Sequence, residues 1–253
     1  MCILVVRHDI QQIVTNKMFV PGVAGVLPHD APARQDEKRH LSMALTLYDN
    51  SFSPNALRTR AVAYELGLPI ELVSIDLRGD ERTTDDYLAL NPNAKVPTLV
   101  DGDFVLWESR AINAYLAGLA PESGLYPHDP RERAIIDQWS YWQAIHLGPA
   151  MQKLAMERYF KKKYGFGEPD PAAIEKAEKD VDQFLRVLED DLKDKDWVAG
   201  RLSIVDFAVA STFVFRKEAG ISLADFPHVV AWIERVEARP SWRKAIEPIV
   251  AAA

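Results

Sequence analysis

The stretch from Asn91 to Leu116, "NPNAKVPTLVDGDFVLWESRAINAYL", leaves few structural options. Asp101-Gly102-Asp103 sits between the apolar runs "VPTLV" and "FVLW", which is the pattern of a tight hairpin. Proline cannot donate to a ladder, so Pro97 belongs at the entrance of the first of these strands. A cis peptide between Val96 and Pro97 would present the Val96 main-chain N–H and C=O to a ligand in a strand-like way. A helix is then expected from Ser109 to about Leu119, with Ile112, Tyr115, Leu116 and Leu119 on one face. Its N-terminus supplies free N–H groups and a positive dipole end suited to a carboxylate. Glu108 beside it can accept a charged amine. Read singly, Ser109 is an N-cap and Glu108 a first-turn acid. Read together, they suit a zwitterionic amino-acid head group on a peptide-like body.

The surrounding pattern completes a small mixed sheet. "MALTLY" reads as a strand, Pro54–Leu66 as a helix and "IELVSIDL" as a second strand, followed by a short polar helix from about Thr84 to Leu90. In the first helix Leu57, Ala61, Tyr64 and Leu68 make one apolar face, and Gly67 stops it. The order is βαβαββα over residues 43–120, an α/β half. After Leu119 no strand pattern recurs. "APESGLYPHDP" reads as a linker, 121–130, and residues 131–253 as an all-α domain. Asp129-Pro130 and Asp170-Pro171 are each an N-cap followed by proline at the first helical position. The long helix between them should be disturbed at Gly148-Pro149. "SIVDFAVASTFVF" is apolar on nearly all sides and should be a buried central helix, opened by a Ser203/Asp206 capping box. Residues 1–42, rich in proline, glycine and charge without sustained period, read as a mobile extension ahead of an older start at Met43 or as a misplaced start codon, and Asp30, Asp36 and Glu37 weaken the competing reading of a targeting peptide.

Composition narrows the function. Apolar residues are 48% and charged residues 26% of 253, the mix of a globular protein with a real core, and the net charge of −7 gives no basic footprint for nucleic acid. No apolar run approaches the ~20 residues that span a bilayer, so a cytoplasmic, membrane-free protein is expected. Cys2 is the single cysteine, which excludes an intrachain disulfide, a CxxC redox pair and a cysteine-rich metal centre. No metal is expected.

The Asn91–Leu116 segment resembles the glutathione S-transferase signature, with Val-Pro after a basic residue, Asp-Gly-Asp in the hairpin and Glu-Ser-Arg-Ala-Ile opening the next helix. "SPNALRTRAVAYELGLP" resembles the first helix of that family, and "LSIVDFAVA" its capping box and central helix. The resemblance runs from Met43 to about Ile246. It implies a thioredoxin-like N-terminal domain followed by an α-helical domain, with glutathione as co-substrate. Val96 beside a cis Pro97 would then pair its backbone with the cysteinyl part, and Glu108 and Ser109 would hold the γ-glutamyl end. Lys95 stands where many relatives contact glutathione, and Arg82 aligns loosely with a basic residue that reaches the glycyl carboxylate. A homodimer is implied, with the helix after Ser109 and the first helices of the α domain near the interface.

"NSFSPNALRTR" poses the catalytic question. Ser53 directly precedes Pro54, so it caps a helix. A free thiol has a pKa of about 8.5, and a hydroxyl that donates to sulfur, like a helix N-terminus, favours the thiolate. By resemblance Ser53 falls on the catalytic serine of the theta and delta classes. The bacterial nu class carries Thr-Pro-Asn where this chain has Ser53-Pro54-Asn55, and there the asparagine also approaches the sulfur. Ser53 is therefore the first candidate and Asn55 the second, with Ser51 and Tyr48 as local rivals. Lack of cysteine at this junction argues against the omega and beta classes. The expected activity is attack of glutathione thiolate on a small hydrophobic electrophile, bound against aromatic residues of "YWQAIHLGPAMQKLAMERYFKKKYGFG". "KKK" at Lys161–Lys163 is a solvated helix end or an attractor of anionic substrates. Disulfide reduction, dehalogenation and a non-catalytic glutathione-binding or scaffold role are the alternatives.

Overall fold

The computed structural model describes residues 45–251, so the extension expected over residues 1–42 lies outside the described residues. Four strands, β1 (Leu45–Asp49), β2 (Ile70–Ser74), β3 (Thr98–Asp101) and β4 (Phe104–Trp107), form one sheet in the order β2-β1-β3-β4. β1 runs parallel to β2 and antiparallel to β3, and β3 and β4 make the hairpin expected around Gly102. Helix α1 (Pro54–Glu65) crosses from β1 to β2, α2 (Asp85–Leu90) precedes the hairpin and α3 (Ser109–Leu119) follows it. This is the expected βαβαββα order of a thioredoxin-like half. Strand β2 is shorter than "IELVSIDL" suggested, because the chain leaves the sheet after Ser74.

Beyond Leu119 the described residues form helices only. A long helix is built of α4 (Pro130–Trp142), α5 (Gly148–Ala155) and α6 (Lys161–Tyr164), joined by π-helical turns at Gln143–Leu147 and Met156–Phe160. Helices α7 (Pro171–Asp191), α8 (Ile204–Ala210), α9 (Pro227–Glu237) and α10 (Pro240–Ala251) complete the domain. Asp129 and Asp170 cap α4 and α7 as read from the sequence. One apolar core runs through both halves, from Leu47 and Leu99 of the sheet to Phe207 and Trp232 of the helical layer, and the described residues lie within one compact unit.

Two local expectations are corrected. Helix α1 is not one-faced, since every residue from Ala56 to Ala63 is buried. It lies between α3, α8 and α10, which leaves it no solvent side. Arg60 tolerates this by pairing with Asp49 of β1 at 2.5 Å and donating to the Ala245 carbonyl at 3.1 Å. The helix expected over "SIVDFAVASTFVF" stops at Ala210 and tightens into a 3-10 turn, where Ser211 and Thr212 hydroxyls donate back to the Ala208 and Val209 carbonyls. The disturbance expected at Gly148-Pro149 is present as a π turn at Gln143–Leu147, and the long helix continues through it. That turn absorbs the missing proline N–H by widening the backbone spacing.

Candidate functional site

Strand register gathers the predicted residues at one end of the sheet. Val73, Tyr48, Thr98 and Trp107 form a row across β2, β1, β3 and β4. Beyond that row β1 leads to Ser53, β4 leads to Glu108 and Ser109, and β3 is entered from Lys95, Val96 and Pro97. Arg82 sits on the loop leaving β2 at the same end. It is exposed, and its side chain bonds to nothing among the described residues.

The Val96–Pro97 peptide is cis, and the β1–β3 ladder begins only at Thr98. The approach loop is clamped from below. Tyr87 Oη and Asn91 Nδ2 donate to the Lys95 carbonyl at 2.6 and 2.8 Å, and both also reach Thr98 Oγ1 at 3.1 Å. Val96 packs with Ile75, Tyr87 and Ala56, and Ala56 belongs to the first turn of α1. The Lys95 side chain is exposed.

Ser53 is nearly buried and its Oγ accepts the Ala56 N–H at 3.3 Å, the long end of hydrogen bonding. That bond uses an oxygen lone pair, and the hydroxyl proton is free to donate elsewhere. Capping and activation therefore do not compete for the same group. Asn55 lies exposed in the same first turn. Ser51 falls in the preceding turn, and Tyr48 packs its ring 5.6 Å from that of Tyr87. Ser109 is buried at the first position of α3. Glu108 before it adopts φ 74° and ψ 107°, a conformation rare outside glycine, and its side chain is exposed.

Sequence reasoning missed the groups that lock the two helix N-termini together. Arg58, one turn beyond Ser53, is fully buried and donates to Ser211 Oγ at 2.9 Å and Gln143 Oε1 at 3.4 Å. Arg110, next to Ser109, donates to the Ser140 carbonyl at 3.1 Å and to the same Gln143 Oε1. Neither guanidinium has a carboxylate ion-pair partner among the described residues. Burial pushes Arg58 well below the usual arginine range, and the charge of Arg110 pushes it further. Burial also lowers Arg110, while Glu108 works in the opposite direction. The available signal was an arginine at i+5 from the capping serine, in a helix that also carries Arg60.

Comparison with known proteins agrees with this geometry. Residues 43–118 match the glutathione S-transferase N-terminal domain and residues 147–240 its C-terminal domain. The chain is 32% identical over 210 residues to a glutathione S-transferase of Hyoscyamus muticus, covering 81% of this chain and 99% of that one. It is 35% identical over 211 residues to glutathione S-transferase 3 of Zea mays, covering 81% and 94%. A solved structure of glutathione S-transferase-I bound with lactoylglutathione superposes with a TM-score of 0.76 at 28% identity, covering 81% of this chain and all of that one. A thioredoxin-like sheet with a cis-proline loop, fused to a helical domain, defines the class as a glutathione-handling transferase fold. The chain belongs to the glutathione S-transferase family and is by class a glutathione transferase.

Proposed function

We propose that Ser53 is the residue that activates glutathione, and that this chain is of the serine-type, theta- or nu-like, branch of the family. The observation that carries the reading is the Ser53 hydroxyl, which caps α1 through a lone pair and keeps its proton for a sulfur. Donation to sulfur stabilises the thiolate, as do the free N–H groups and positive dipole end of α1. Val96 offers an extended main chain to the cysteinyl unit. Glu108 accepts the γ-glutamyl amine, and the Ser109 end of α3 takes its carboxylate. Lys95 and Arg82 supply cations at the rim, and Asn55 lies beside the sulfur position. Arg58 and Arg110 add positive potential and, through Gln143, hold both helix N-termini in register with the helical domain. Activation of this kind is positioning plus electrostatic stabilisation. The thiolate then bonds to an electrophilic carbon on a small hydrophobic molecule while the leaving group departs with its electron pair.

A homodimer, cytoplasmic, completes the proposal. Exposed Phe104, Trp107, Tyr141 and Ile145 on β4 and the long helix support a self-association face, which sedimentation velocity tests. No helix among the described residues is long and apolar enough to cross a membrane. The decisive experiment is an ultraviolet titration of bound glutathione for its thiolate band. A thiolate forming well below the pH of free glutathione is expected. Ser53→Ala should raise that pKa while leaving affinity within a few-fold, and an unchanged thiolate fraction would remove Ser53 from the role. Binding without an early thiolate would favour disulfide handling instead.

A further inference from the structure

The end of the long helix carries a cation set against aromatic surface beside Ser53. The Lys163 ammonium lies 4.8 Å from the ring centre of Phe52, the residue preceding Ser53, and 5.1 and 5.9 Å from the rings of Tyr159 and Tyr164. It also donates to Tyr159 Oη at 2.8 Å. Arg78, on the loop after β2, stacks 5.3 Å above Tyr164 from the other half of the chain. Together these contacts bring α6, the Ser53 loop and the β2 loop to one place.

Charge balance at this place is one-sided. Earlier on the same helix, Arg158 pairs with Glu178 and Lys161 with Glu157. Lys163 has no ion pair among the described residues, and Arg78 has only a 4.0 Å approach from Asp76. Glu218 acts on Lys163 only through space, outside ion-pair distance. The Tyr159 hydrogen bond raises the Lys163 pKa further above the ordinary lysine value, so the ammonium stays charged at neutral pH. Aromatic faces hold a cation by their quadrupole without neutralising it, so its charge remains available to an arriving anion.

Resting on the reading that glutathione is activated at Ser53, we propose that Lys163 selects a second substrate with an aromatic body and a carboxylate or sulfonate. Phe52, Tyr159 and Tyr164 take the aromatic part, and Lys163, assisted by Arg78, takes the anion. A purely apolar electrophile would gain nothing from the exposed ammonium. The same geometry thus favours an aryl acid over its uncharged analogue.

The test is a binding measurement that needs no turnover. The fluorescent probes 1-anilinonaphthalene-8-sulfonate and N-phenyl-1-naphthylamine share one aromatic body and differ by the sulfonate. Both are titrated into the full chain with saturating glutathione present. Lys163→Met should weaken the sulfonate by about two- to fivefold, the scale of one exposed, partly screened ion pair, and the amine by less than about twofold. Lys163→Arg should retain sulfonate binding. Phe52→Ala should weaken both probes alike. Equal losses for both probes on Lys163→Met, no loss for the sulfonate, or no response of either to Phe52→Ala would overturn the proposal. Glutathione activation is read separately from the thiolate band, so failure of Ser53 as activator and failure of Lys163 as selector are distinguishable.

Discussion

Asp206 offers a pH experiment whose outcome the structure fixes in sign. The residue is fully buried at the start of α8, where Oδ1 accepts from Val198 N–H and Trp232 Nε1–H, each at 3.0 Å. Oδ2 accepts from Ser203 N–H at 2.9 Å and lies 3.2 Å from Ser203 Oγ. Loss of water outweighs these donors and lifts the carboxyl from the ordinary 3.8 to about 6. The three N–H partners can only donate, so the bound proton must sit on Oδ2 and point at Ser203 Oγ, which can accept it. Between those two pH values the folded chain holds a proton that the unfolded chain has released. Stability therefore falls as pH rises through that window, by about 3 kcal/mol in total, and the penalty is absent below the window. Asp206→Asn keeps Oδ1 and its two donors. It places an amide against Ser203 N–H, leaving that donor unpaired at a cost of about 1–3 kcal/mol. It cannot titrate. Urea unfolding of both proteins at intervals from about pH 4 to pH 7 isolates the residue, because every other group cancels in the difference. The mutant's deficit should be largest at low pH and fall by about 3 kcal/mol toward neutrality, where it vanishes or changes sign. A deficit independent of pH would show that the donors hold the carboxyl at its ordinary value. A deficit that grows with pH would reverse the argument entirely.

Other perturbations separate roles that overlap in the native chain. A methyl added at Gly148 would lie 2.7 Å from the Gln143 main-chain oxygen and 2.6 Å from its Nε2, so Gly148→Ala should destabilise by about 1–3 kcal/mol and weaken glutathione binding by moving Gln143 off Arg58 and Arg110. Glu108→Ala and Glu108→Gly should both weaken glutathione, by calorimetry. Only glycine should also raise stability, by roughly 1 kcal/mol, because it alone relieves the positive φ at this position. Ser53→Ala loses the cap, about 0.5–2 kcal/mol. Ser53→Asp should restore stability without restoring the thiolate band, since a carboxylate caps but has no proton to give. A chain begun at Met43, where the family match starts, should fold and bind glutathione with unchanged affinity; aggregation would assign residues 1–42 to the core.

The hairpin, the proline-initiated helices and the Ser203/Asp206 box were legible because each depends on local chemistry, in which a turn or a cap is decided within four residues. The same holds for the candidate site. Ser53, Val96, Pro97, Glu108 and Ser109 occupy element boundaries, and the alternation of strands and helices fixes which boundaries share an edge of the sheet. What the sequence hid was tertiary. A helix with Arg58 and Arg60 in it reads as having a wet side, yet α1 has none, because α8 and α10 return from more than a hundred residues away to cover it. Their partners, Gln143, Ser211 and the Ala245 carbonyl, lie 85, 153 and 185 residues distant, beyond any spacing rule. The π turn at Gln143–Leu147 was foreshadowed only as trouble at Gly148-Pro149, and its function of aiming Gln143 at both arginines depends on helices that the motif does not contain.

Ser53 shows why a bland and a sharp reading of one residue need not be rivals. A helix N-terminus needs an acceptor for a free N–H, and a thiolate needs a donor. A hydroxyl is both, and the two demands fall on different parts of it. Carboxylate caps meet the first demand and oppose the second through their charge, and alanine meets neither. Threonine meets both but adds a methyl at a position only 8% exposed. The cap in turn removes rotational freedom from the side chain, so in the proposed role of Ser53 the hydroxyl is positioned before any substrate arrives.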